Sequence, residues 1–94
     1  MKDQKSIALD HLNEARRVAA EGDLERAAQL LCRLTEDYPR DSTILFSCAA
    51  VLFRLRRFSE AAPLFARILE DQPVNHRASL GLFHSLWQID RKSD

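Results

Sequence analysis

The chain has 94 residues, of which 46% are hydrophobic, so it is large enough for one small domain with a modest core. Its 14 basic and 14 acidic residues cancel, which removes the overall field that would recruit nucleic acid or an anionic membrane. No apolar run reaches membrane-spanning length, and the first residues contain no hydrophobic segment typical of a secretion signal. We therefore expect a cytoplasmic protein without a membrane partner.

The first half of the chain predicts two helices joined by a tight turn. Residues 4–20 and 24–37 both place apolar side chains at helical spacing. Between them, Gly22 supplies the left-handed backbone that ends a helix, and Asp23 is a favourable N-cap. Pro39 ends the second helix because it disfavours helical backbone at Tyr38.

The second half of the chain predicts the same pattern again, followed by one more helix. Asp41 or Ser42 is expected to cap a third helix that ends near Arg54, and a fourth is predicted over residues 58–71. Pro63 lies in the first turn of that helix, where a missing N–H is tolerated. A fifth helix is predicted over residues 75–89.

An internal repeat of 34 residues relates the two halves. Residues 22–39 and 56–73 align without an insertion, so that Ala27 matches Ala61 and Pro39 matches Pro73. The other matched pairs are Ala28 with Ala62, Leu31 with Phe65 and Leu34 with Ile68. A fixed period of this length is typical of helix–turn–helix units that stack into a solenoid.

On these matched residues the chain resembles the tetratricopeptide repeat (TPR) family over nearly its full length. The resemblance implies an all-α fold, a right-handed solenoid of five antiparallel helices. It places one domain over residues 1–94, with repeats at 8–41 and 42–75 and a partial third repeat at 76–94. It also implies a protein-binding scaffold and not an enzyme. Small residues such as Ala27 and Ala61 would lie where helices approach most closely.

The resemblance further implies a concave groove, because fixed positions in the first helix of each TPR repeat line such a surface. Carried onto this chain, those positions and one neighbour give a partner-binding groove of Leu9, Leu12, Arg16, Phe46, Phe53, Arg54, Arg77, Leu80, His84 and Trp87. The set is apolar and basic without an acid, which favours a protein or peptide segment with some negative charge. Alternatively, the three aromatic members Phe46, Phe53 and Trp87 fill gaps between the first helices of adjacent repeats.

The resemblance also implies an inter-helix turn at residues 90–93, after the fifth helix, but the second helix that completes each earlier repeat is missing. Leu82, Phe83 and Leu86 are expected to face the place of that helix, and burying each is worth about 1.5–3 kcal/mol. We therefore expect either that the chain is a fragment of a longer TPR protein or that another chain covers this face. Self-association is the simplest way to cover it.

No catalytic residue, metal site or cofactor is predicted. The histidines His11, His76 and His84 have no metal-ligand spacing toward Cys32 or Cys48. The sequence contains no Gly-rich phosphate loop, nucleophile elbow or paired-carboxylate motif. Both cysteines are expected to be reduced thiols, and Cys48 is expected to be packed in the core.

Three functional hypotheses remain. The first is an adaptor that binds a protein segment in the groove. The second is a dedicated toxin-immunity or secretion-chaperone protein, since residues 78–87 resemble those of small bacterial TPR proteins with such roles. The third is a self-assembling structural fragment. The basic run Arg54, Arg56 and Arg57 could contact a helix end, an acidic partner or RNA, of which RNA is the least favoured.

Overall fold

A computed structural model describes residues 4–93, with side chains for residues 7–91, and within that range contains helices but no strand. The helices are α1 (Gln4–Ala20), α2 (Leu24–Asp37), α3 (Ser42–Arg54), α4 (Phe58–Asp71) and α5 (His76–Ser93). Each helix packs against the next one in the chain, and α3 also contacts α1 and α5. The result is an elongated all-α array measuring 52 × 30 × 19 Å. Residues 1–3 and 94 of the predicted domain lie outside the described part.

The helix boundaries confirm the sequence prediction except at α5. The bounds of α1, α2 and α4 agree with the predicted ranges, whereas α5 continues to Ser93 and replaces the turn predicted at residues 90–93. The turn between α1 and α2 contains the left-handed residue Gly22, and the turn between α3 and α4 contains the left-handed residue Arg56. Residues 90–93 contain neither glycine nor proline, so no local signal ends the helix there.

Side-chain caps fix the starts of three helices. Asp23 accepts a hydrogen bond from the Arg26 N–H at 3.1 Å. Asp41 accepts from the N–H groups of Thr43 and Ile44 at 3.0 and 3.2 Å, which identifies Asp41, and not Ser42, as the cap of α3. Asn75 caps α5 by accepting from the Ala78 N–H at 3.0 Å. These caps satisfy N–H groups that lack a partner within the helix.

The same backbone turn closes both helical hairpins. Gly22 has φ of 96° and Arg56, which lies 34 residues later, has φ of 65°. The next residue, Arg57, donates to Glu60 at 2.8 Å and reaches Glu25 of α2 at 3.3 Å. Its hydrogen bonds hold the pKa of the Glu60 carboxyl below its usual range. Because this network is exposed, it contributes little to stability.

The core runs the length of the array and depends on small residues at helix contacts. Ala27 of α2 and Ala61 of α4, which match across the 34-residue period, are fully buried. The largest fully buried apolar side chains are Leu31, Ile44, Leu45, Leu52 and Ile68. Alanine allows the helix axes to approach while these larger side chains fill the adjoining space. This packing holds α1 and α3 side by side and so positions the cleft between them.

Candidate functional site

A cleft of about 520 Å³ lies between α1 and α3. The N-terminal part of α5 contributes its far wall. The lining residues are Ala15, Arg16, Ala19, Ala20, Leu31, Ser42, Thr43, Phe46, Ser47, Ala50, Val51, Arg54, Asn75 and Arg77. Four of the predicted groove residues come together here: Arg16, Phe46, Arg54 and Arg77.

The cleft is basic. Among the residues whose side chains the structure describes, Arg16, Arg54 and Arg77 are its only charged lining residues, and no carboxylate lines it. All three arginines are exposed. Within the described part of the chain, neither Arg16 nor Arg54 has an ion-pair partner. Three positive charges in one concavity, with no compensating acid among the described residues, create a local field that attracts anionic groups, although the chain as a whole is neutral.

Phe46 connects the cleft to the core. Its ring meets the ring of Phe65 edge to face, with centroids 5.8 Å apart and an interplanar angle of 74°. The guanidinium carbon of Arg77 lies 4.7 Å from the centroid of the Phe46 ring. The first contact is an aromatic packing interaction and the second a cation–π interaction. Phe46 therefore both packs in the structure and holds Arg77 at the cleft.

Leu9 and Leu12 line a second, smaller cleft of about 260 Å³ between α1 and the start of α3. Leu12 is only 3% exposed and belongs to the core, whereas Leu9 is exposed. Tyr38 and the capping residue Asp41 complete part of this wall. Leu9 and Leu12 were both predicted to line the groove, but only Leu9 exposes much of its side chain to a partner.

Phe53 has a packing contact of its own. The ring is half-buried and meets Phe58 edge to face, with centroids 5.0 Å apart. Phe58 opens α4 and is buried. This contact joins α3 to α4, whereas the alternative for the groove aromatics places them between the first helices of adjacent repeats.

The remaining predicted groove residues, Leu80, His84 and Trp87, lie on α5 and do not line either cleft. Trp87 stacks on Phe83 with centroids 6.4 Å apart, and His84 meets the same ring edge to face at 5.7 Å. Leu80, Phe83, Leu86 and Trp87 are each 52–62% exposed, and we call these four the α5 apolar face. Of the three predicted self-association residues, Phe83 and Leu86 belong to this face, whereas Leu82 is half-buried against the core.

The three arginines of the basic run have three different surroundings. Arg54 lines the cleft, Arg56 adopts the left-handed backbone of the turn, and Arg57 bridges Glu25 and Glu60. Only Arg54 is placed to meet a partner in the cleft. The three charges therefore do not act as one patch.

Two features of the cleft and its surroundings were not predicted. Ser47 and Asn75 join the cleft lining, and Asn75 could have been recognised from its place before a helix, as the counterpart of Asp41. The other feature is a thiol pair: the Sγ atoms of Cys32 and Cys48 lie 3.6 Å apart. Their spacing of 16 residues, on different helices, gave no sign of this contact.

Among residues 4–93, no group of three or more histidine, cysteine or acidic side chains is arranged to hold a metal ion. In the same part of the chain, every helix is too short or too polar to span a bilayer.

A comparison with protein families finds a match to the tetratricopeptide repeat over residues 18–82, from the last turn of α1 into α5. A search of curated proteins finds no significant match. Tetratricopeptide repeats generally mediate protein–protein interactions and are typically not enzymes. The matched range covers more than two thirds of the chain and includes the whole of α2, α3 and α4. The chain therefore belongs to the tetratricopeptide repeat family.

Proposed function

We propose that this protein is a non-enzymatic interaction module whose cleft between α1 and α3 binds an acidic segment of a protein partner. The observation that carries the proposal is the charge of the cleft: in the described part of the chain, three arginines and no carboxylate line about 520 Å³. A volume of this size accommodates a few side chains of a bound segment, in the range of small-ligand pockets.

The chemistry of the lining favours a segment with both acidic and apolar side chains. Arg16 and Arg54 offer planar guanidinium groups, which match carboxylates by paired hydrogen bonds. Ala50 and the ring of Phe46 line the same cleft and provide apolar surface. An acidic side chain beside an apolar one would therefore find complementary groups at the same time.

Peptide selection from a random display library tests the proposal, because such a library samples acidic, basic and apolar segments alike. We expect the enriched sequences to contain Asp or Glu next to apolar residues, and their affinity to fall as salt concentration rises. Arg16→Ser and Arg54→Ser should each weaken a selected peptide about tenfold, a typical loss for a charged hydrogen-bond partner. Fluorescence anisotropy with the labelled peptide measures this.

Arg67→Ser is the matched control, because Arg67 is an exposed arginine of α4 that does not line the cleft. Its affinity should equal that of the parent protein. Selected peptides without acidic residues, or equal losses for Arg67→Ser and Arg16→Ser, would contradict binding in the cleft.

A second proposal concerns assembly: the α5 apolar face packs against the same face of a second copy of the chain. In α3, which lies between α2 and α4, the residues 34 positions before Phe83 and Leu86 are Ala49 and Leu52, and both are buried. In α5 the corresponding surface is open. A contiguous exposed apolar patch of this kind marks an interaction site more often than a free surface.

The spacing of the α5 apolar face suits a two-fold contact. Leu80 and Leu86 lie three residues on either side of Phe83, so an antiparallel crossing at Phe83 places Leu80 of one copy against Leu86 of the other. In a two-fold symmetric dimer, the same patch of both copies forms the interface, so the patch has to be complementary to itself. The symmetric spacing of Leu80 and Leu86 about Phe83 meets this requirement and favours a second copy over an unrelated partner.

Sedimentation over a wide range of protein concentration tests the assembly. We expect a monomer–dimer equilibrium for the parent protein and a monomer for Phe83→Asp. Val74→Asp is the control, since Val74 is even more exposed but lies outside α5, in the preceding turn. It should dimerise as the parent does. A parent protein that stays monomeric throughout, or a Val74→Asp variant that loses the dimer as well, would refute a contact through α5.

A further inference from the structure

The two cysteines of the chain form a close thiol pair between the first and second helical hairpins. Cys32 lies on α2 and Cys48 on α3, and their Sγ atoms are 3.6 Å apart. Both are free thiols. A disulfide joins its sulfur atoms at about 2.05 Å, so the pair needs an approach of only about 1.5 Å to form one.

The two thiols differ in exposure. Cys48 is fully buried, whereas Cys32 is only half-buried. Burial raises the pKa of the Cys48 thiol well above its ordinary value, and the adjacent Cys32 adds to the shift. Cys48 therefore remains protonated, and an oxidant from solution meets Cys32 first. One accessible thiol beside one protected thiol is the arrangement of a redox-sensitive cysteine with its resolving partner.

We propose that Cys32 and Cys48 are a site of reversible oxidation, at which a hydroperoxide converts the thiol pair into a disulfide between α2 and α3. In the first step the Cys32 thiolate attacks a peroxide oxygen. The O–O bond breaks, leaving a sulfenic acid on Cys32 and, for hydrogen peroxide, a hydroxide that is protonated to water. In the second step the Cys48 sulfur attacks the Cys32 sulfur, the S–O bond breaks, and the departing hydroxide leaves as water with the Cys48 proton.

The overall change balances: two thiols and one hydrogen peroxide give one disulfide and two waters. A small dithiol reverses it by thiol–disulfide exchange and is itself oxidised. The raised pKa of Cys48 slows the second step, but its fixed position beside Cys32 offsets this because the reaction is intramolecular. The disulfide would fasten the junction between α2 and α3.

This junction also supports the cleft. Ser47 and Leu31, the immediate neighbours of Cys48 and Cys32, both line it. A disulfide would restrain α3 against α2 and so limit changes in the shape of the cleft. The oxidation itself does not depend on what the cleft binds.

Intact-mass spectrometry of the reduced protein after treatment with hydrogen peroxide tests the proposal. We expect the monomer to lose the mass of two hydrogens, both cysteines to resist iodoacetamide, and dithiothreitol to restore both thiols. Peptide mapping should find Cys32 joined to Cys48. The disulfide closes a loop between Cys32 and Cys48. It should raise Tm by at least about 5 °C, because the cross-link restricts the conformations of the unfolded chain.

Cys48→Ala separates the two steps. Its Cys32 should stop at the sulfenic acid, which dimedone traps, whereas the parent should give little dimedone adduct. Cys32→Ala should leave the mass unchanged under the same treatment. Equal dimedone labelling of the parent and Cys48→Ala would overturn the proposal, and so would disulfide-linked dimers in place of the internal bond. The mass and mapping results for the parent decide the matter even if a variant fails to fold.

Discussion

Replacing Phe65 with alanine is expected to lower the free energy of unfolding by about 3–5 kcal/mol, as for other fully buried phenylalanines. Phe65 is only 3% exposed. Its ring lies on α4 between two other helices: it meets Phe46 of α3, and ring carbons lie 2.5 Å from where a Cβ would stand on Gly81 of α5. Deleting the ring removes contacts with both neighbours at once.

The cavity left by Phe65→Ala cannot close easily. Gly81 has no side chain to move into the space, and Phe46 is also held by its contact with Arg77. A small domain has a total stability of about 5–15 kcal/mol, so the substitution would remove a large share of it. Urea unfolding followed by circular dichroism measures the change, which should appear as a lower midpoint.

Phe83→Ala is the matched control, because it removes the same ring from an exposed position of α5. Measured in dilute solution, where self-association does not contribute, its stability should stay within about 0.5 kcal/mol of the parent value. Equal losses for the two substitutions would show that the ring of Phe65 does not occupy a core position.

The fold could be predicted from the sequence because its signals are local. Gly22, Asp23 and Pro39 mark helix ends by their own backbone and capping chemistry, and the 34-residue period repeats that information. The predicted end of α5 was wrong because the turn at residues 90–93 was placed by family resemblance, although neither glycine nor proline lies there to end the helix. Without a local signal to end it at residues 90–93, α5 continues to Ser93.

The candidate site was less accessible to sequence analysis because it depends on how helices face one another. Position in a repeat assigned Leu12 and Phe53 to the groove, but packing buries the first and places the second against Phe58. Cys32 and Cys48 were treated as separate thiols, since only the pairing of α2 with α3 brings their sulfur atoms together. Such contacts involve residues far apart in the chain, which no local pattern reports.

Gly81→Ala is expected to destabilise the protein by about 1–3 kcal/mol, although alanine favours a helix over glycine by about 1 kcal/mol. Gly81 lies within α5, where the higher helix propensity of alanine alone would make the substitution favourable. However, a Cβ at this position would stand 2.5 Å from two carbons of the Phe65 ring. The buried ring has to move, and its contact with Phe46 opposes that movement. Overpacking therefore outweighs propensity, and thermal unfolding should show a lower Tm.

A double-mutant cycle with Phe65→Leu separates these two effects. Leucine removes the ring atoms that the new methyl group would meet, so Gly81→Ala in the Phe65→Leu background should be neutral or stabilising. The effect of Gly81→Ala on the free energy of unfolding should differ between the two backgrounds by more than about 0.5 kcal/mol, as for residues in direct contact. Additive effects would mean that α4 and α5 do not approach closely at Gly81.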